Sequence, residues 1–169
     1  MPFLIGILSL IVIMGIVTII IKVIPYIIHK KGFICNIKTD IGEFLFHQRV
    51  KNPYILNAWI SNNQDWFTGM VYGVIEYLSI RGIVIEVDKI RKPVYIKFKS
   101  VGKVGYKDKD GSWVRCYGFQ KRGYVEIEWA TSFSNEYVKD LLRHEITHYL
   151  IYCARPNLSE KSHHEIMNF

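Results

Sequence analysis

The sequence predicts an α+β domain in which a small antiparallel sheet packs on one long helix, preceded by one transmembrane helix. Three observations predict it. Phe3 to Ile21 is an uncharged apolar run; residues 83–129 hold short alternating stretches separated by turn sequences; and Ser134 to Cys153 runs without Gly or Pro. Strands followed by a helix, rather than strands alternating with helices, are the order of an α+β chain.

The apolar run comes first. At about 1.5 Å per residue it is long enough to cross a hydrocarbon core of roughly 30 Å. A cleaved signal peptide needs positive charge before its apolar core and small residues at the cleavage site. Only Met1 and Pro2 precede this core, and Lys22 to Tyr26 follow it. The run is therefore expected to stay as an anchor, with its basic flank, over residues 1–31. Lys22, His29, Lys30 and Lys31 lie on the C-terminal side, and the positive-inside rule puts that side in the cytoplasm. A single-pass membrane protein with a cytoplasmic domain is the expectation. Cys35, Cys116 and Cys153 are odd in number and form no Cys-x-x-Cys pair. They read as free thiols in a reducing compartment rather than as a disulfide framework. The 169 residues then suit one domain, residues 41–169, behind a polar juxtamembrane linker, residues 32–40.

Within the domain, Phe44-Leu45-Phe46 and Tyr54-Ile55-Leu56, with Pro53 between them, suggest one or two short helices. Asp65 is placed to cap a helix running to about Ser79, because Phe67, Val71, Ile75 and Leu78 recur with helical spacing. Gly69 and Gly73 would permit close approach on it, and Gly82 ends it. Ile83 to Val87 and Val94 to Lys99 read as strands. Asp108-Lys109-Asp110-Gly111 is a turn sequence, followed by a strand over Ser112 to Phe119. After a second turn, Tyr124 to Trp129 alternates. Val125, Ile127 and Trp129 should face the core, with Glu126 and Glu128 facing out or lining a cleft. His47 stands alone and reads as a surface or packing histidine.

The last helix carries the chemistry. Ser134 is a good N-cap, and Glu136 and Asp140 suit the early turns. Its apolar residues cover several faces, which marks a buried helix. On it lies His144-Glu145-Ile146-Thr147-His148, the H-E-x-x-H pattern. Residues four apart share a helix face, so His144 and His148 can offer two imidazole nitrogens to one metal ion. Glu145 beside them can take a proton from a water held there. The plainer alternative is two core histidines with ordinary hydrogen bonds and a Glu145 paired with Arg143 or another base.

A catalytic zinc site needs a third protein ligand. The H-E-x-x-H-x-x-G-x-x-H extension is excluded, because Ile151 and Ala154 stand at its Gly and His. Ser162 and Glu165 form a capping-box pattern that would start a short terminal helix with His163 in its first turn. His163 ranks first as third ligand, then His164, then a carboxylate, Glu165 or Glu160. Tyr149 or Tyr152 could steady an oxyanion.

From about Phe67 to Phe169 the chain resembles the SprT-like (Spartan-like) zinc metallopeptidase domain, a minimal zincin-type fold. The parts that carry the resemblance are the GYVEIEW strand, the LLRHEITHYLI helix and the SHHEIMNF tail. Ser162 and His164 stand where that family commonly has glycines. The resemblance implies Zn2+ held by His144, His148 and His163, Glu145 as general base, and a protein or peptide substrate.

A reading from another class starts from the net charge of +7. Arg91, Lys92, Lys97, Lys99, Arg115, Lys121 and Arg122 are interleaved with Trp113, Tyr117 and Phe119. A tethered, non-catalytic module of that kind would bind nucleic acid or anionic lipid. A solvated basic face is the plainer account of the same residues.

Overall fold

A parallel sheet centre forces the chain to cross over between strands, and here helices make the first crossing. The computed structural model describes residues 32–90, 93–121 and 123–167. The chain divides into two units, Met1–Phe33 and Ile34–Phe169. The expected anchor, Phe3 to Ile21 with its flank, lies outside the described residues. Among the described residues no helix is long and apolar enough to cross a membrane.

In chain order the elements are β1 (Phe33–Thr39), β2 (Gly42–Arg49), α1 (Pro53–Asn62), α2 (Gln64–Ile80) and a 3-10 turn (Val87–Lys89). There follow β3 (Val94–Ser100), β4 (Gly105–Lys107), β5 (Trp113–Arg115), β6 (Gly118–Lys121), β7 (Tyr124–Trp129), α3 (Asn135–Ala154) and α4 (Glu160–Met167). The fold is α+β. Five strands form one sheet in the order β1-β2-β3-β7-β6, and β4 with β5 makes a separate two-stranded ribbon.

The sheet is mixed, not antiparallel as expected. β2 runs parallel to β3 and β3 parallel to β7, while β6 and β7 are antiparallel. Alternation along a strand tells which residues face the core but not which way the neighbour runs. The direction comes from the connections: α1 and α2 carry the chain over between β2 and β3, as a parallel pair requires. The register lines up the buried rows, Phe44 with Val94, Phe46 with Ile96, Ile96 with Val125 and Phe98 with Ile127.

Three other expectations are corrected. Residues 32–40 do not form a linker: Phe33–Thr39 is an edge strand, closed onto β2 by a turn in which Thr39 Oγ1 accepts the Gly42 N–H at 3.2 Å. The cluster Phe44-Leu45-Phe46 is strand, with Phe44 and Phe46 both packed edge-on to Phe67 at 5.2 and 5.0 Å. Only the second cluster, after Pro53, is helical. Ile83 to Val87 is not a strand. Ile83 and Ile90 are buried plugs that pin this connection to the core, Ile85 packs partly against it, and Val84 and Val87 are exposed.

α2 begins at Gln64 with Asp65 in its first turn, though no side chain caps it. Gly82 follows in a left-handed conformation, φ +73°. Among the described residues a Cβ on Gly69 or Gly73 would meet nothing within 4 Å, so neither supports a close approach there. α3 is in contact with β6, β7, α2 and α4. Its capping is as expected: Ser134 Oγ accepts the Tyr137 N–H at 3.1 Å. Trp59 Nε1 donates to Asn135 Oδ1 at 2.8 Å and fixes the start of α3 to α1. Burial of Val138, Leu142, Ile146, Tyr149 and Leu150 then seats the helix in the core.

Candidate metal centre

Because α3 is anchored along its buried stripe, the face bearing His144, Glu145 and His148 is fixed toward β6 and α4. The two histidines lie one turn apart, with Nε2 of His144 and Nε2 of His148 separated by 3.2 Å. Two nitrogens bound to one tetrahedral zinc at about 2.0–2.1 Å would stand roughly 3.3 Å apart. The pair therefore has the spacing a shared cation needs.

α4 closes the site. It begins earlier than the capping box suggested: Ser159, not Ser162, caps it, with Ser159 Oγ accepting the Ser162 N–H at 3.2 Å. His163 and His164 therefore lie one turn into the helix. Tyr77 holds the far end, its hydroxyl donating to the carbonyls of Ile166 and Met167. Buried Met167 adds an apolar plug.

Both tail histidines come to the pair, but differently. His144, His148 and His164 each offer one donor nitrogen within 4.8 Å of the others, a group able to hold a metal ion. The His164 ring stands 4.8 Å from that of His148 and 5.6 Å from that of His144. His163 is not in that group. It lies on the other side of His148, Nδ1 to Nδ1 at 3.2 Å, and is buried. The sequence ranked His163 ahead of His164; the convergent donor set contains His164. Glu165 is exposed and does not line the site, whereas Glu160 does.

Electrostatics favour neutral imidazoles here. Burial, then the neighbouring His144, His164 and His163, push His148 down to about 3. Burial, then His164, lowers His144. Burial is also the largest cause of the lowered value of His163. A cation needs such lone pairs unprotonated, so the donor chemistry fits a borderline metal such as zinc.

Glu145 is buried and does not pair with Arg143, which binds Asp140 instead at 3.1 Å. Burial, then repulsion from Glu160, pushes its carboxyl up to about 8. It rests on the backbone of Gly118, where a Cβ would fall 2.6 Å from Glu145 Cδ. Gly118 is a site residue that sequence reasoning missed; the stretch 112–119 read as one unbroken strand. In fact it breaks at Cys116 and Tyr117 between β5 and β6.

The histidines and Glu145 open onto a cavity of about 510 Å³ between β6, α3 and α4. Tyr106, Tyr117, Phe119, Leu141, Tyr152 and Leu158 give it an apolar and phenolic wall. Tyr149 is not on that wall; it is fully buried in the core. Of the two tyrosines singled out in the sequence, only Tyr152 reaches the site.

The basic surface is partly neutralised. Lys99 pairs with Glu126 at 2.6 Å and Arg115 with Glu128 at 3.1 Å. Lys97 sits over the Tyr124 ring at 3.9 Å. Glu126 and Glu128 are buried under these cations rather than lining a cleft. Arg91, Lys92 and Arg122 lie outside the described residues. His47 packs beside Tyr95, ring to ring at 5.6 Å.

The geometry defines an α+β protein with a three-histidine cluster able to hold a metal ion, beside a buried carboxyl at the wall of an open cavity. Comparison of the chain with protein-family models, with curated proteins and with solved structures gave no match.

Proposed function

We propose that this chain is a membrane-anchored, zinc-dependent endopeptidase of the zincin, SprT-like type, with its catalytic domain on the cytoplasmic side. The observation that carries the reading is the 3.2 Å approach of the His144 and His148 Nε2 atoms next to the buried carboxyl of Glu145. Two imidazoles, a third within reach and a carboxyl at a cavity wall are the parts that metal-assisted hydrolysis requires.

Zinc bound there would polarise the scissile carbonyl and lower the pKa of a water to about 7. Glu145 would take that water's proton and pass it to the leaving amine. The raised value of about 8 belongs to the metal-free site; a cation beside it would favour the carboxylate, the form that takes the proton. β6 is the edge of the five-stranded sheet and forms one wall of the cavity. An extended peptide adding to that edge would bring a backbone carbonyl past the histidines, with Tyr152 available as a hydroxyl donor. The apolar run at Phe3 to Ile21 would hold the domain at the membrane.

The pairing of Lys99 and Arg115 with buried carboxylates leaves less free charge for nucleic acid or lipid than the sequence suggested. The test is metal analysis of the purified full chain together with Glu145→Gln. The expected result is about one zinc per chain in both proteins and peptide cleavage only with Glu145 intact. Cleavage by Glu145→Gln at the parent rate would remove the role assigned to that residue. Salt-sensitive binding of nucleic acid or anionic vesicles that survives loss of both His144 and His148, with no metal in the parent, would replace the peptidase by a tethered binding module.

A further inference from the structure

We infer that the two adjacent tail histidines divide the work: His164 completes the metal site, and His163 is a positioning residue that holds His148 in the tautomer and orientation a metal needs. This rests on the metal reading given above and deepens it.

The argument starts from the two ring nitrogens of His148. Its Nε2 faces His144 Nε2 at 3.2 Å, and its Nδ1 faces His163 Nδ1 at 3.2 Å. A neutral imidazole that gives one nitrogen to a cation carries its proton on the other and donates it. If His148 binds through Nε2, as its approach to His144 indicates, then Nδ1–H points at His163. His163 Nδ1 must then be the acceptor, with its own proton on Nε2. An Nδ1 lone pair committed to that hydrogen bond is not free for the metal.

The reverse assignment costs a ligand. For His163 to bind through Nδ1 beside His148, His148 would have to use Nδ1 as well. Its Nε2 would then turn from the cation, and the one-turn pair with His144 would be split. Placement agrees with the first assignment. His164 is exposed and shares the convergent group with His144 and His148. His163 is 4% exposed and tilted against His148, with ring centroids 5.4 Å apart and planes 31° apart. The arrangement has a visible cost, since His163 Nε2 is buried with no hydrogen-bond partner among the described residues. A group kept there at that cost is explained by what its other nitrogen does.

The test uses three variants of the full chain, loaded with zinc and, separately, with cobalt(II). Affinity is read by chelator competition and coordination by the cobalt visible spectrum. His164→Ala is expected to lose stoichiometric metal at concentrations that saturate the parent, and to change the cobalt spectrum. His163→Ala is expected to keep one metal and the parent's cobalt spectrum, with affinity lower by about 10–100-fold. His163→Asn, whose amide oxygen can stand where Nδ1 accepts, is expected to recover most of that loss. This recovery is what a merely structural role for His163 would not give, and it carries the test should His163→Ala fold poorly. The division of roles is overturned if His163→Ala loses the metal while His164→Ala keeps it, or if His163→Asn binds no better than His163→Ala. Either result leaves the peptidase reading standing. A parent chain that binds no metal overturns both.

Discussion

Gly118 and Glu145 meet where the edge strand β6 crosses α3, so closely that a methyl group on Gly118 would lie 2.6 Å from the Glu145 carboxyl carbon. Glycine at this position is required by contact rather than by backbone conformation. Gly118→Ala should therefore act on one side chain, driving Glu145 from its seat. The overpacking should cost about 1–3 kcal/mol. On the proposed peptidase reading, metal binding should persist, because the atoms a Cβ on Gly118 would meet first all belong to Glu145, while peptide cleavage should fall by about 100-fold as Glu145 loses its position. Thermal unfolding, metal stoichiometry and turnover on the same preparation check the three parts. A Gly118→Ala protein that cleaves at the parent rate would show that Glu145 has room to spare.

The same carboxyl makes the stability of the metal-free protein depend on pH. Its folded value is about 8 against an ordinary 4.5. Between those values the folded state holds more protons than the unfolded one, so this contribution is complete below about pH 4.5 and is lost as pH rises through 8. Glu145→Gln removes the ionisable group without changing shape. In the metal-free state it should be as stable as the parent at pH 4, and more stable by on the order of 1–3 kcal/mol at pH 7. The histidines, whose values are depressed, work in the opposite sense but are common to both proteins and cancel in the difference. Urea unfolding in the presence of chelator at the two pH values reads the effect; an equal difference at both would discount the burial of the charge.

What could be read from the sequence, and what could not, follows from the range of the interactions. Ser134, the spacing of His144 and His148, and the turn after Lys107 are local, and local chemistry decides them. The α+β class follows from the order of such elements. The direction of β3 against β2 and β7 is not local: Phe46, Ile96 and Val125 would alternate alike in either direction, and only the connections decide it, through α1 and α2 between β2 and β3 and through β4, β5 and β6 between β3 and β7. Ile83 misled for a related reason, since a buried plug and a buried strand residue look the same in sequence. At the site, adjacency hid the difference between His163 and His164. Two neighbours on a helix point about 100° apart, and which of them faces the α3 pair depends on how Tyr77 and Met167 seat α4. Gly118 carried no local signal, because its reason lies in Glu145, far along the chain.

Cys116 tests the character of the cavity independently. Burial, then the negative charge of Glu145, Glu128, Glu126 and Glu160, pushes its thiol up to about 11. The thiolate is the nucleophile, so alkylation of Cys116 by iodoacetamide should be slow at pH 8 and should climb about tenfold per pH unit toward pH 11, well past the point at which a free thiol levels off. Glu145→Gln removes one of the charges and should speed the reaction at pH 9 in metal-free protein. Mapping the labelled peptide by mass spectrometry separates Cys116 from Cys35 and Cys153. Levelling near pH 8.5 would contradict the acidic, enclosed surroundings described here.

Arg115 connects stability to the shape of the site. Glu128 is fully buried, and its carboxylate accepts from Arg115 Nε at 3.3 Å, from Arg115 Nη2 at 3.1 Å and from the Gly102 N–H at 2.6 Å. Removing the guanidinium strands a buried charge, whereas removing both charges does not. Arg115→Ala should therefore lower the unfolding temperature more than Glu128→Gln does, and the double variant should be more stable than Arg115→Ala alone. A double-mutant cycle isolates the pair. Arg115 also ends β5, immediately before Cys116, Tyr117 and Gly118, so loosening it frees the strand that seats Glu145. On the proposed peptidase reading, cleavage by Arg115→Ala should drop below the parent even well under its unfolding temperature, with the metal retained, and the double variant should recover stability more fully than activity. Additive effects of the two substitutions on stability would mean that the Arg115–Glu128 contact contributes nothing to holding this wall of the cavity.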